Sequence, residues 1–418
     1  MCKLNGRTNT YEQADPQVCA TPEASDTSCV CATPEAAETL HAKIATDAKK
    51  LAKEAAHQCL CTHEEAKDKE ITKRLDITTD QLKQVLRELH QPMFRVKQIE
   101  EWLWQKNVHS FDEMTNLPQA LRTELAKRFV QTSIEIIDKQ VSRDGSRKYL
   151  VRFPDKTITE CVGMPTKDKL SVCVSTQAGC AIGCVFCATG RGGLTRSLSD
   201  NEIYEQALCV RDDFKMRISS IVLMGQGEPL ANYKNSVSAL MRFNSPEGLG
   251  IGARHLTIST CGIIPNIIKF SHEKEQFTLA VSLHSAVQKT RDYLMPGVKR
   301  FSLLALHEAL QTYTANTNRR PSYEYALIKG INDTPEELQA LCDFCAGTLA
   351  HVNLIQLNKI DDSPFEPTSE ACARHFVERL RSVGVEATIR KSRGADIDAA
   401  CGQLKEKTLK QKLKRLSL

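Results

Sequence analysis

Three features are missing from this 418-residue sequence, and each absence argues against a class of protein. No apolar run approaches the roughly 18 residues that a membrane-spanning helix needs. The first ten residues contain no apolar core of a secretory signal. No Gly-x-Gly-x-x-Gly turn follows a predicted strand, which disfavours a dinucleotide-binding sheet. We therefore expect a soluble, cytoplasmic protein without a membrane segment.

Cysteine, in contrast, is abundant, with 17 Cys in the chain. The number is odd, and the chain is far longer than the small secreted domains that rely on disulfides in place of a core. A disulfide framework is therefore disfavoured. In a reducing compartment, clustered thiols bind metals or take part in chemistry more often than they crosslink the fold. Closely spaced Cys residues are thus candidate metal ligands.

Composition divides the chain into four parts. Residues 1–75 are rich in Ala, Thr, Glu and Lys and almost lack aromatics, which predicts a disordered extension. Residues 76–165 combine apolar residues at helical spacing with an alternating stretch, which predicts an accessory domain of helices and a hairpin or small sheet. Residues 166–403 form the main predicted domain. The basic tail, residues 404–418, suits either a phosphate backbone or a solvated helix.

The main domain alternates short apolar runs with helical stretches such as 199–213, 302–315, 335–347 and 369–383. Apolar runs of this length are typical of buried parallel strands in βα units. Six such units predict an α/β fold, a partial (β/α)6 TIM-like barrel, with a doubly wound sheet as the alternative. The predicted strands are Ser171–Thr176, Ser219–Gly225, His255–Gly262, Phe277–His284, Ser322–Gly330 and Val352–Asn358.

Polar and reactive residues gather at the C-terminal ends of these strands. In a (β/α) barrel, those ends form the face that carries the active site. The positions are Cys180, Cys184 and Cys187 after the first strand, Gly227, Glu228 and Pro229 after the second, Ser259 and Cys261 on the third, Ser282 and His284 at the end of the fourth, and Asn358 at the end of the sixth.

The Cys180-x-x-x-Cys184-x-x-Cys187 spacing lets three thiolates point to one side of a tight turn. A [4Fe–4S] cluster usually takes four thiolates, so three would leave one iron open for another ligand. A zinc site is the competing interpretation, but it needs a fourth ligand, and the Cys342-x-x-Cys345 pair is predicted to lie within a helix. Three cysteines that are merely buried in a loop are the structural alternative.

Together with Gly227-Glu228-Pro229, this Cys motif resembles the radical S-adenosylmethionine (SAM) superfamily. Three further segments narrow the resemblance to the RlmN/Cfr family of RNA methyltransferases, over about residues 76–415. They are the segment from Phe94 to Lys106, the segment from Leu170 to Cys180, and the segment from Arg390 to Leu404. Two positions depart from the usual family pattern, Gln226 in the glycine-rich loop and Gln356-Leu357 before Asn358.

The resemblance implies a role for each matching residue. Cys180, Cys184 and Cys187 would bind the cluster, one [4Fe–4S] per chain, and Cys401 would carry the methyl group as S-methylcysteine. Cys173 would be the resolving partner that forms a transient disulfide with Cys401, and Glu160 would be the proton acceptor. The SAM contacts would be Gly227, Glu228, Ser259, Ser282, Leu283, His284 and Asn358.

Several of these residues, taken singly, also have a purely structural explanation. Ser259, Ser282 and Asn358 can satisfy backbone groups at strand ends. His284 can be a hydrogen-bonded core histidine, and Glu160 an ordinary surface carboxylate. Cys173 within a strand can be a packed small hydrophobe. Their joint match to the family pattern is what favours the functional interpretation.

The resemblance also implies the reaction and its partners. The product would be 2-methyladenosine in 23S rRNA, at the peptidyl-transferase centre, and in tRNA, with two SAM molecules used per turnover. An electron donor such as flavodoxin or ferredoxin would reduce the cluster, and the chain would act as a monomer without a membrane partner. The alternatives are a Cfr-type adenine-C8 methyltransferase and a non-catalytic RNA-binding protein with zinc.

Overall fold

The computed structural model describes residues 79–106, 108, 110–129, 134–358, 363–390, 392–399 and 403. The predicted extension 1–75, the predicted tail 404–418 and Cys401 lie outside the described residues. Within the described residues, no helix is both long and apolar enough to cross a membrane.

The N-terminal part of the described chain is a helical module, as the apolar spacing predicts. Leu82 and Leu86 are one turn apart on one helix face, and both are buried. The Thr79 hydroxyl donates to the Glu100 carboxylate at 2.7 Å, which ties the first helix to the second. The helices are α1 (Thr79–Glu88), α2 (Phe94–Glu100), which continues as a π-helical turn (Glu101–Gln105), and α3 (Gln119–Arg128).

Trp104 attaches this module to the rest of the protein. Its side chain is buried, and the Arg242 guanidinium lies 4.5 Å from the centre of its ring. The Tyr204 hydroxyl donates to the Trp104 carbonyl oxygen at 3.2 Å. Trp104 is therefore part of the core, whereas the Trp102 indole N–H reaches the surface amide of Asn116.

The alternating stretch forms a three-stranded antiparallel meander, β1 (Glu135–Val141), β2 (Arg147–Arg152) and β3 (Ile158–Thr166). The meander is not a separate sheet, because β3 pairs antiparallel with β4 (Lys169–Cys173), with Val162 opposite Cys173. The predicted domain boundary at residue 165 thus falls inside one continuous sheet. The division of the chain into two domains at this residue stays a prediction.

Beyond β4 the sheet is parallel, and its strands follow one another in chain order. A doubly wound sheet reverses its strand order at a switch point. The sequential order therefore excludes that alternative and confirms a partial barrel, with the meander at one edge. The strands are β7 (Ile218–Leu223), β8 (Leu256–Thr260), β9 (Thr278–Ser282), β10 (Ser322–Leu327), β11 (His351–Gln356) and β12 (Glu386–Arg390).

Strand β12 was not predicted, and it adds a seventh parallel strand to the six expected in the described chain. Its residues, Glu-Ala-Thr-Ile-Arg, are mostly polar because it is an edge strand with solvent on part of its surface. The two short strands β5 (Gln177–Gly179) and β6 (Leu194–Ser197) pair separately beside the cysteine loop.

Helices cover the outer face of the parallel strands and bury the main apolar core. The first long one begins at Ser199, where the Ser199 side chain and Glu202 form a reciprocal capping box. The helices are α4 (Ala188–Arg191), α5 (Asp200–Phe214), α6 (Tyr233–Asn244), α7 (Ile264–Phe270), α8 (Gln288–Leu294), α9 (Leu303–Thr317), α10 (Pro335–Cys345) and α11 (Glu370–Ser382).

Candidate functional site

A cavity of about 150 Å³ opens at the C-terminal ends of the parallel strands. The partial barrel brings side chains from distant parts of the chain to this one place, as the strand-end pattern predicts. Nine predicted site residues line the cavity: Cys180, Cys184, Cys187, Gly227, Glu228, Ser259, Ser282, His284 and Asn358.

The cysteine loop is shaped by close backbone approaches. Gly179 has φ +78°, and a Cβ there would lie 2.0 Å from the Gly193 carbonyl oxygen. That same oxygen accepts the Cys180 N–H at 2.7 Å, which anchors the start of the loop to the residue before β6. A Cβ on Gly190 would meet the Cys184 backbone nitrogen at 2.8 Å. Glycine at both positions lets the loop fold back on itself.

The thiols of this loop lie among apolar side chains, including Ile182 and Phe186. Burial raises the pKa of Cys180 and of Cys187. At Cys184 the largest single influence, a hydrogen bond with the Cys261 thiol, lowers the pKa, but burial and the neighbouring acidic groups together raise it further, so the net shift is upward. Thiolates here need a nearby positive charge, and a metal cluster supplies one. The donor set therefore fits a cluster.

Among the described residues, no group of three or more His, Cys, Asp and Glu side chains is arranged to hold a metal ion. Cys342 and Cys345 are buried in the last turn of α10, within a helix as predicted.

The glycine-rich loop after β7 cannot carry side chains at its glycines. Gly227 has φ +104°, and a Cβ there would lie 2.5 Å from Gln177 Cβ. The buried Glu228 carboxylate accepts the N–H of Cys261 at 2.6 Å and the N–H of Leu230 at 2.9 Å. Burial raises the Glu228 pKa, and these backbone donors oppose that shift. Glu228 thus fixes the loop against the end of β8.

His284 is held in one orientation at the cavity wall. Its backbone has φ +55°, and its Nδ1 accepts the Ala326 N–H at 3.0 Å. Its ring packs edge-on against Phe186, with the ring centres 4.8 Å apart. Burial lowers the His284 pKa to about 3. The imidazole is therefore neutral, and because Nδ1 accepts, Nε2 carries the proton and is a donor.

Leu283 differs from the other predicted SAM contacts. Its side chain is fully buried in the main core and does not line the cavity. Its N–H donates to the Glu324 carbonyl oxygen at 3.0 Å. Any contact of this residue with a ligand must use its backbone.

Glu160 and Cys173 lie on the interior face of the sheet, on β3 and β4. Glu160 is 1% exposed, so the surface-carboxylate alternative is wrong. The Lys148 ammonium on β2 lies 3.7 Å from Glu160 Oε1. Cys173, Val162 and Ala399 are buried in one apolar cluster. The structure thus brings both predicted residues to the stretch of chain that leads to Cys401, which itself is not described.

Residues 392–399, here called the C-terminal segment, dock on the meander through specific polar contacts. The Ser142 hydroxyl and the Arg143 N–H both donate to the Asp396 carboxylate, at 2.5 and 3.1 Å. The Gly394 N–H donates to Asp144 Oδ2 at 3.2 Å. The β1–β2 turn therefore fixes the position of the segment that precedes Cys401.

Sequence reasoning missed several charged residues at the site. Arg291 on α8 is 1% exposed and donates to the Cys261 carbonyl oxygen at 2.6 Å. The Arg390 guanidinium, at the end of β12, reaches Met224 Sδ at 3.6 Å and Glu324 Oε2 at 3.4 Å. Helical spacing gives no signal for Arg291. Lys148, in contrast, stands at an inward position of an alternating strand, and this pattern could have identified it as a candidate site residue.

A larger cavity, of about 630 Å³, lies near the N-terminal end of β7. Arg211, Lys215, Arg217 and Pro246 are among its lining residues, and none of the predicted site residues is. Because parallel α/β folds carry their chemistry at the C-terminal ends of the strands, we assign the site to the smaller cavity.

Comparisons with known proteins identify relatives of this chain. Residues 73–130 match the ribosomal RNA large subunit methyltransferase N-terminal domain, and residues 174–348 match the radical SAM superfamily. A probable dual-specificity RNA methyltransferase RlmN from Clostridium perfringens is 42% identical over 339 residues, which cover 81% of this chain and 98% of the relative.

A second relative of the same name, from Bacillus velezensis, is 44% identical over 331 residues, covering 78% of this chain and 91% of the relative. Among solved structures, a radical SAM methyltransferase from Sphaerobacter thermophilus is 38% identical, with a TM-score of 0.75. The match covers 79% of this chain and 98% of that one.

Proposed function

Since this chain belongs to the RlmN family of radical SAM RNA methyltransferases, we propose that it makes 2-methyladenosine in 23S rRNA and in tRNA. The observation that carries the proposal is one arrangement of residues. Cys173 is buried in one apolar cluster with Ala399 of the C-terminal segment, and Glu160 is connected to that segment through Lys148. The same sheet ends at the three-cysteine cavity.

Cys180, Cys184 and Cys187 would hold a [4Fe–4S] cluster, one per chain, with one iron left for SAM. When bound, the cluster and SAM supply a carbon-centred radical. The backbone at Gly227, the hydroxyls of Ser259 and Ser282, and the Asn358 amide would position SAM through hydrogen bonds. His284 Nε2–H adds a neutral donor to the same wall.

The target atom explains why a carrier cysteine is needed. Carbon 2 of adenine lies between two ring nitrogens and is electron-poor, so it does not attack the methyl group of SAM directly. Cys401 would first accept a methyl group on its sulfur and then deliver that carbon to the base. Two SAM molecules per turnover follow from this scheme, one as methyl donor and one as radical source.

Delivery leaves the RNA joined to Cys401, and the chain must then release it. Addition to the base would leave an unpaired electron on the adduct, which would lose that electron to the oxidised cluster, and Glu160 would take the proton from carbon 2 of the adenine. Cys173, as a thiolate, would then attack the Cys401 sulfur, so that a disulfide forms while the S–C bond breaks; the electron pair of that bond stays on the methyl carbon, which takes up a proton. The burial of Cys173 and Ala399 in one apolar cluster supports this pairing. A small external thiol or thioredoxin-like reductant would return both cysteines to thiols.

The substrate RNA must lift its adenine out of the base stack to reach this cavity. Single-stranded or unfolded RNA meets that requirement most easily. An electron-transfer protein of the flavodoxin or ferredoxin class would reduce the cluster. We further propose that the chain acts as a monomer.

The test is a nucleoside analysis by mass spectrometry. A bacterial strain that lacks its own RlmN is complemented with this chain, and methyladenosine isomers are measured in its 23S rRNA and tRNA. We expect 2-methyladenosine in both RNAs with the natural chain, and none with Cys401→Ala. If 8-methyladenosine is found and 2-methyladenosine is not, the chain catalyses a Cfr-type reaction and this proposal is wrong. No methyladenosine, together with zinc and no iron in anaerobically purified protein, would favour the RNA-binding alternative.

A further inference from the structure

We propose that Lys148 is a positioning residue for proton removal from the base, a role that rests on the proposed function of Glu160. Its ammonium keeps the Glu160 carboxylate ionised, and it holds the C-terminal segment over that carboxylate. Nothing in the family motifs described above includes Lys148.

Three contacts place the Lys148 ammonium at the centre of this arrangement. Its side chain is 6% exposed, and Nζ lies 3.7 Å from Glu160 Oε1, which is itself buried. Nζ also donates to the Asp398 carbonyl oxygen at 3.4 Å. One cation thus links the predicted base on β3 with the segment that ends two residues before Cys401.

Strand pairing explains why Lys148 points inward. Lys148 lies directly opposite Val162, and Val162 lies directly opposite Cys173, so the three form one row across the sheet. Glu160 is two residues from Val162 and therefore shares its face. The neighbouring Tyr149 faces the other side, where its hydroxyl donates to Asp213.

Because Glu160 is buried, the charge of the nearby Lys148 affects whether Glu160 can accept a proton. An isolated buried carboxylate favours its neutral, protonated form, and a protonated carboxyl cannot accept a proton. Other titratable groups near Glu160 are the thiols of Cys161 and Cys173, and the C-terminal segment adds Asp396 and Asp398. These thiols and carboxylates are neutral or negative, so they do not supply the positive charge that Lys148 supplies. Arg393, in the same segment, donates instead to the Pro165 carbonyl oxygen and the Thr166 hydroxyl, both at 3.1 Å.

A buried ion pair by itself does not show a functional role, because apolar pairs often stabilise a fold equally well. A positioning role can be distinguished from a purely structural role because it affects one step, the removal of the proton from the base. Loss of Lys148 should slow proton removal, which precedes the attack of Cys173. The protein–RNA adduct should then accumulate, whereas a variant that is only less stable would lose all steps together.

The experiment uses the reconstituted holoenzyme and a short RNA substrate under anaerobic conditions. Lys148→Met, Lys148→Arg and the natural chain are compared in single turnovers across a pH series. The matched control is Arg152→Gln, which removes an exposed ion pair with Glu135 from the same meander. Product, covalent adduct on denaturing gels and the melting temperature are measured for each protein.

We expect Lys148→Met to slow product formation by about 10²-fold, the usual size of general-base catalysis, and to accumulate adduct. Its rate should rise with pH more steeply than that of the natural chain, because a buried carboxyl group without a nearby cation ionises only at higher pH. Lys148→Arg should recover most of the rate, and Arg152→Gln should behave as the natural chain. In the holoenzyme, hydrogen exchange of residues 392–399 should be faster in Lys148→Met.

An unchanged rate and pH profile in Lys148→Met would overturn the inference, and so would a loss that parallels the melting temperature without adduct. If Lys148→Met does not fold, Lys148→Gln serves in the same comparison. Glu160→Gln separates the two proposals. If it forms product at the natural rate, the proposed role of Glu160 fails, and the role of Lys148 fails with it.

Discussion

Cys173 on β4 is buried in one apolar cluster with Ala399, which stands two residues before Cys401 in the chain. This shared cluster places a buried thiol near the segment that precedes the proposed methyl carrier. The cluster also joins two regions that are far apart in sequence, because folding brings β4 and the C-terminal segment together.

The first prediction concerns release of the RNA. Cys173→Ala should form the bond between Cys401 and the base but should not break it, because no second thiol can attack the sulfur. A covalent protein–RNA adduct should therefore persist on a denaturing gel. Cys209→Ala, a thiol on α5 outside the cavity, should release product normally. Release of free methylated RNA by Cys173→Ala would contradict the resolving role.

The second prediction concerns the cluster. Cys180→Ser should lose most of the iron from the roughly four atoms expected per chain, since it removes one of three ligands. Cys342→Ser changes a thiol that is buried in a different part of the core, and should keep its iron. Iron and sulfide assays on anaerobically purified protein measure this. Equal iron in both variants would argue against the assigned ligands.

The third prediction concerns the glycine-rich loop. Gly227→Ala should lower the free energy of unfolding by about 1–3 kcal/mol or more, because the residue has positive φ and its Cβ would collide with Gln177. SAM binding should weaken in the same variant. Gly250 also has positive φ but faces open space, so Gly250→Ala isolates the backbone cost, about 1–2 kcal/mol. Urea unfolding and equilibrium SAM binding are the measurements, and equal results for the two variants would count against the predicted collision.

The fourth prediction concerns acid stability. Burial holds the His284 pKa at about 3, whereas an unfolded histidine takes up a proton below about pH 6.5. The folded state is therefore fully favoured above that pH and loses stability as the pH falls from about 6.5 toward 3. Between pH 7.5 and 5.5, the natural chain should lose about 1 kcal/mol more than His284→Asn.

Asparagine is the suitable replacement at His284. Its side-chain oxygen can accept the Ala326 N–H, and it tolerates the positive φ. Urea unfolding at the two pH values gives the comparison. An identical pH dependence in the two proteins would show that His284 does not remain neutral in the folded chain.

The features that the sequence predicts best are those that depend on the spacing of nearby residues along the chain. The three-cysteine loop and the polar strand ends could be placed because the C-terminal ends of parallel strands converge on one edge. At Leu283 the match to the family concerns the position in the chain, since its side chain is buried in the core and the backbone alone could contact a ligand. Strand β12 was missed because an edge strand carries too few apolar residues to stand out.

The interior row of the meander could not be derived from spacing alone. Glu160 and Cys173 were identified only through the family resemblance, and each alone had an ordinary structural explanation. Their proximity to the C-terminal segment depends on β3 pairing with β4, which makes the meander part of the barrel sheet. Lys148 and Arg291 are charged residues whose burial is determined by tertiary packing.

The central claim is that the methyl carbon passes through Cys401. The most direct test is mass spectrometry of the Cys401-containing peptide after the holoenzyme is incubated with methyl-labelled SAM, before and after RNA is added. We predict that one labelled methyl group is found on the Cys401 sulfur without RNA, and that its carbon then appears at carbon 2 of adenine. Labelled RNA from a protein whose Cys401 never carries the label would contradict the account.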